Sequence, residues 1–155
     1  MRRKTAKRLP VLPDPRFNSE LVSKFVNNLM LEGKKSTALA IFYDAIDRIS
    51  QKSGEDGLEI WKRALSNVTP AVEVRSRRVG GATFQIPQQI RDSRKLSMAM
   101  KWMIGYARKR NEKSMSERLA YEIMAAAKEE GATFKKKEDT HRMAEANKAF
   151  SHFRF

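Results

Sequence analysis

The sequence predicts a mainly α fold, with about six helices in a compact bundle. A two-stranded β-hairpin protrudes between the third and fourth helices, and a basic extended tail leads the chain. Three observations carry that expectation. Apolar residues recur at helical spacing along most of the chain; Val72 to Pro87 alternates as strands do, around Gly80-Gly81; and the N-terminus sets Arg2, Arg3, Lys4, Lys7 and Arg8 before Pro10, Pro13 and Pro15 with no apolar period.

At 155 residues, 41% of them hydrophobic, the chain is expected to form a single domain with a real core. Its parts are a tail over 1–18, an arm over 72–87 and a C-terminal tail over 148–155. Lys and Arg total 32 against 18 acids, a net charge of +14, which is the footprint of a protein that binds phosphate backbones. The absence of cysteine excludes disulfides and thiolate metal sites. No run approaches the roughly 18 apolar residues that span a bilayer, and no apolar signal core follows the basic start, so a cytoplasmic location is expected.

Three φ-locked prolines and a run of cations make the first segment a tail fitted to lie along a polyanion. Ser19 is a candidate N-cap, and Leu21, Val22, Phe25, Val26, Leu29 and Met30 then predict a helix from Glu20 to about Leu31, closed by Gly33. Beyond Gly33-Lys34-Lys35-Ser36, the stripe Leu39, Phe42, Ala45, Ile46 and Ile49 predicts a second helix that Gly54 ends. Asp56 with Glu59 resembles a capping box, and Leu58, Trp61, Leu65 and Val68 form a third helix stopped by Pro70.

In the arm, a two-residue Gly80-Gly81 loop places Arg77 opposite Phe84 and Arg75 opposite Ile86 on one face, with Arg78 and Gln85 on the other. A lone hairpin is marginal in water, so its base must pack on the helices. Asp92 or Ser93 is the expected cap of a fourth helix with core positions Leu96, Ala99, Met100, Met103, Ile104 and Ala107. Its ends are basic: Arg91, Arg94 and Lys95 at the start, Arg108, Lys109 and Arg110 at the finish. Cations at the start oppose the helix dipole, which assigns Arg94 and Lys95 to a partner. Ser114 to Glu117 fits a capping box for a fifth helix that Gly131 is expected to end. A sixth, surface helix is expected from about Phe134 to Asn147, followed by an irregular aromatic and basic tail.

Catalysis finds little material. His141 and His152 are the only histidines, and Asp139-Thr140-His141 on a charged helix is better taken as solvated or RNA-facing than as an acid–base pair. Gly33-Lys34-Lys35-Ser36 lacks the preceding strand and first glycine of a phosphate loop, yet Lys34 and Lys35 remain candidate phosphate contacts beside helix amides. No cofactor is implied. Met98, Met100, Met103 and Trp61 sit at core spacing, so core filling outweighs a groove or a stacking surface. Phe84, flanked by arginines on a thin ribbon, is the best aromatic candidate for stacking on a base.

The stretches FVNNLMLEGKKSTALAIFYDAI, VEVRSRRVGGATFQIP and EDTHRMAEANKAFSHFRF closely resemble the bacterial small-subunit ribosomal protein S-seven family, and the resemblance covers nearly the whole chain. It implies a non-enzymatic helical protein with a protruding ribbon. Such a protein binds the 3′ major domain of small-subunit rRNA, nucleates assembly of the subunit's head, and touches ribosomal protein S-eleven among other head proteins. The implied rRNA-binding set is Arg2, Arg3, Lys4, Lys7, Arg8, Lys34, Lys35, Arg75, Arg91, Arg94, Lys95, Arg108, Lys109, Arg110 and Arg142. The implied arm near the exit-site tRNA and the mRNA path is Arg77, Arg78, Gly80, Gly81 and Phe84. On this division the tail and helix ends anchor rRNA, and the ribbon's base contributes. The competing reading is an architectural DNA-binding protein with a minor-groove arm, but such arms carry an apolar wedge where this one has two glycines.

Overall fold

The computed structural model describes residues 9–153. Its helices are α1 (Glu20–Leu29), α2 (Lys35–Ser53), α3 (Gly57–Val68), α4 (Asp92–Arg108), α5 (Met115–Ala127) and α6 (Gly131–Ala146), with the hairpin β1 (Val72–Val79) and β2 (Ala82–Gln89) between α3 and α4. A terminal 3₁₀ turn spans Lys148–Phe153. The expected architecture is the observed one: six helices with one antiparallel ribbon inserted after the third.

The apolar stripes explain the packing. Helix α5 lies at the centre, in contact with α2, α3, α4 and α6. At the core, Phe25, Phe42 and Trp61 meet edge-on or tilted with centroids 5.3 to 5.4 Å apart, an arrangement that aromatic quadrupoles favour. Trp61 is fully buried, as its stripe position requires, and its indole Nε1 has no acceptor among the described residues. Met100 and Met103 are core residues too.

Two caps form as expected. The Asp56 carboxylate accepts from the Leu58 amide, and the Ser114 hydroxyl accepts from the Glu117 amide. Close approach adds a constraint at Gly57, where a Cβ would lie 2.4 Å from the Ile46 carbonyl oxygen.

Several boundaries differ from expectation. Helix α1 stops at Leu29, two residues early, because Met30 is already extended at ψ 137°, and Glu32 and Gly33 then turn the chain with φ of +53° and +72°. Neither Asp92 nor Ser93 caps α4: Arg91 holds the cap position without a side-chain bond, and Asp92 is the first helical residue, paired with Lys95. Gly131 does not end α5. That helix closes at Ala127, and Gly131, at φ +87°, opens α6 three residues before the expected Phe134 start. The expected irregular tail contains an ordered turn instead. The ribbon runs two residues past Pro87, to Gln89.

Residues 14–18, counted with the tail on sequence grounds, form a turn around Asp14. This buried carboxylate accepts from the amides of Arg16, Phe17 and Ser19 and from the Tyr43 hydroxyl at 2.9 to 3.1 Å. Burial raises its pKa, but those donors outweigh it and hold the carboxyl below its ordinary range.

A candidate nucleic-acid interface

The ribbon has the register that the two glycines require. Gly80 and Gly81 take φ of +57° and +89°, the pairs Arg75 with Ile86 and Arg77 with Phe84 follow as expected, and Ser76 pairs with Gln85 between them. Its root is tied down from two sides. On α4, Arg94 places Nε and Nη2 on the Glu73 carboxylate at 2.9 to 3.1 Å. Arg75 adds its own Nε at 3.2 Å. The Glu73 side chain is only 10% exposed, and its bond from Arg94 holds its pKa below the usual carboxylate range despite burial.

From α6, the His141 Nε2 accepts a hydrogen bond from the Ala71 amide at 3.1 Å. Burial, helped by the charge of Lys137, pushes the His141 pKa down and favours the neutral acceptor form. His141 is therefore a clasp for the ribbon's root. The terminal turn lies along β2, where the Phe150 and Phe84 rings have centroids 5.2 Å apart. Phe84 is half-buried by that contact, which corrects its placement on a ribbon without packing.

The predicted cations fall into two groups. Arg94, Arg108 and Arg110 hold the fold together. Arg108 donates to the Leu29 carbonyl at 3.1 Å, at the C-terminal end of α1 where a cation suits the dipole. Arg110 binds Glu112 at 2.9 Å and the fully buried Glu122 at 3.0 Å. The other Glu122 oxygen accepts from the Thr133 amide and hydroxyl at 3.0 and 2.5 Å, joining α5 to α6.

The second group faces outward. Lys35, Arg78, Arg91 and Arg142 are exposed and form no ion pair with a described residue. Lys34 is exposed and pairs with Glu32 at 2.7 Å, Lys95 pairs with Asp92, and Lys109 lies over the Tyr106 ring. Arg77 is exposed on the ribbon. The fold brings together Lys34 and Arg108, distant in sequence, on one apolar cavity of about 420 Å³ that Leu29, Ile41 and Met115 also line. Arg142 and His141 share a polar groove on the face of α6 with Lys137, Glu138 and Glu145. Arg2, Arg3, Lys4, Lys7 and Arg8 lie outside the described residues.

Sequence reasoning missed the acids. Glu73, Glu122 and Asp14 do the positioning, and the one signal for Glu73 was a carboxylate placed among arginines on a strand. Among the described residues no cluster of His, Asp and Glu fits a metal ion, and no helix is long and apolar enough to cross a membrane.

A family model described as Ribosomal protein S7p/S5e matches residues 1–148. The small ribosomal subunit protein uS7 of Flavobacterium johnsoniae is 71% identical over 158 residues, covering 100% of both chains. That of Cytophaga hutchinsonii is 60% identical over 155 residues, again covering 100% of both, and that of Alcanivorax borkumensis is 55% identical over 154 residues, covering 99% of each. By these matches the chain belongs to the ribosomal protein S7p/S5e family, as a structural ribosomal protein and not an enzyme.

Proposed function

We propose that the chain, a constituent of the small ribosomal subunit, binds the 3′ major domain of its rRNA directly and nucleates assembly of the subunit's head. The tail, Lys34, Lys35, Arg91, Lys95, Lys109 and Arg142 contact rRNA, with Arg94 and Arg108 presenting their remaining donors, and Arg110 its positive charge, from anchored positions. The ribbon, through Arg77, Arg78, Gly80, Gly81 and Phe84, lies near the exit-site tRNA and the mRNA path. Ribosomal protein S-eleven and other head proteins are its protein neighbours.

The observation that carries this reading is the division of the cations. Arginines bound to buried acids fix the frame, while Lys35, Arg78, Arg91 and Arg142 face outward without an acid partner among the described residues. Outward cations neutralise phosphates and release counterions, which gives affinity that falls steeply with salt. Selectivity comes from the spacing of those cations, because A-form RNA hides its base edges and is recognised by shape. Hydroxyl-radical footprinting on full-length small-subunit rRNA tests the reading. Protection confined to the 3′ major domain is expected; protection scattered over all domains contradicts it.

A further inference from the structure

The ribbon is held at its root by Glu73–Arg94 and Ala71–His141, and a two-stranded ribbon is marginal without packing. The terminal turn adds a contact farther out. Phe150 packs on Phe84, which lies directly opposite Arg77, two pairs from the Val79–Ala82 end of the ladder. Opposed residues share a face, so Phe150 seats on the face that carries Arg75 and Arg77. Below it, between the ribbon's root and α6, is a cavity of about 500 Å³ lined by Val72, Pro87, Gln88, His141, Lys148 and Ser151. With that space beneath, the ring pair bridges the turn to the outer ribbon.

We infer that Phe150 is a positioning residue for RNA binding: its ring, packed on Phe84, sets the angle of the ribbon and so the placement of Arg75, Arg77 and Arg78. This rests on the reading of the ribbon as an RNA-contacting arm. A ribbon held in the bound orientation spends no affinity on being ordered, and apparent affinity scales with the fraction of molecules already competent. Removing one aromatic pair weakens binding by about two- to tenfold on the usual strength of such pairs.

The test uses the full chain. Because it contains no cysteine, Ala82→Cys at the exposed ribbon tip accepts a single nitroxide label that reports tip motion. Affinity is measured for a transcript of the 3′ major domain at fixed salt. Phe150→Ala is expected to raise tip mobility, leave the thermal midpoint nearly unchanged and weaken binding, and Phe150→Leu is expected to recover most of both. In a background of Arg75→Ala, Arg77→Ala and Arg78→Ala, the Phe150→Ala effect on affinity should vanish.

Unchanged tip mobility overturns the inference, as does a gain in affinity, which would make the turn a restraint against binding. A loss of affinity that persists without the ribbon arginines also overturns it, since Phe150 would then touch RNA itself. If the triple arginine variant binds as tightly as the parent, the ribbon's RNA role fails, while the label still decides whether Phe150 sets its angle.

Discussion

Arg94 in the first turn of α4 grips the Glu73 carboxylate of β1 through Nε and Nη2, and so fastens the ribbon's root to the bundle. A cation at the start of α4 opposes the helix dipole and so points to an external partner, yet the partner that holds Arg94 is internal. A buried acid with two arginines on it converts a flexible hairpin base into a fixed mount.

That mount titrates with a definite sign. The Glu73 pKa is lower folded than its ordinary 4.5, so the unfolded chain binds more protons between the two values. Stability from the pair is complete above the unfolded value and is lost as pH falls through the folded one. We expect acid unfolding to steepen below about pH 4.5, and Glu73→Gln to flatten that limb in pH-dependent thermal melts.

His141 gives a second, milder dependence. Its pKa is also depressed, from an ordinary 6.5, so the Ala71 bond is intact above that value and is lost as pH falls through the lower folded pKa. The protection factor of the Ala71 amide, measured by hydrogen exchange, should fall over this range. His141→Phe should remove the pH dependence and lower protection at every pH.

Glu122 is the polar centre of the bundle. Glu122→Ala leaves Arg110 and Thr133 facing a buried gap, and the expected loss is about 3–5 kcal/mol in denaturant unfolding. Glu122→Gln, which retains acceptor oxygen, should cost less. At Gly131 a Cβ would lie 3.0 Å from the Ala125 Cβ in a left-handed backbone, so Gly131→Ala should cost about 1–2 kcal/mol.

Trp61 carries a buried donor without a described acceptor. Trp61→Ala should cost about 3–5 kcal/mol through lost packing. Trp61→Phe should cost markedly less, because it keeps an aromatic ring against Phe25 and Phe42 and removes a donor whose desolvation costs about 1–3 kcal/mol. A loss in Trp61→Phe as large as that in Trp61→Ala would contradict this.

The helices and the hairpin were legible because periodicity and turn chemistry are local. Val22, Phe25 and Val26 announce a buried face, and Gly80-Gly81 dictates both turn and register. The mount was not legible. Glu73 meets Arg94 across 21 residues, Tyr43 meets Asp14 across 29, and only the packed bundle brings them together. Gly131 was ambiguous for a different reason, since a glycine at positive φ serves the end of one helix or the start of the next. The terminal turn was not legible either, because its contact, Phe150 on Phe84, joins residues far apart in the chain.

Buried acids hold the anchoring arginines, and on the proposed reading the frame so fixed sets the outward cations in the pattern of one RNA. Competition binding at fixed salt among the 3′ major domain of small-subunit rRNA, an unrelated structured RNA and duplex DNA tests it most directly. We expect the rRNA fragment to displace both competitors, and to lose that advantage in Glu73→Gln, where charge is added but its placement is loosened. Equal affinity for all three nucleic acids would contradict the claim, leaving a basic surface without selectivity.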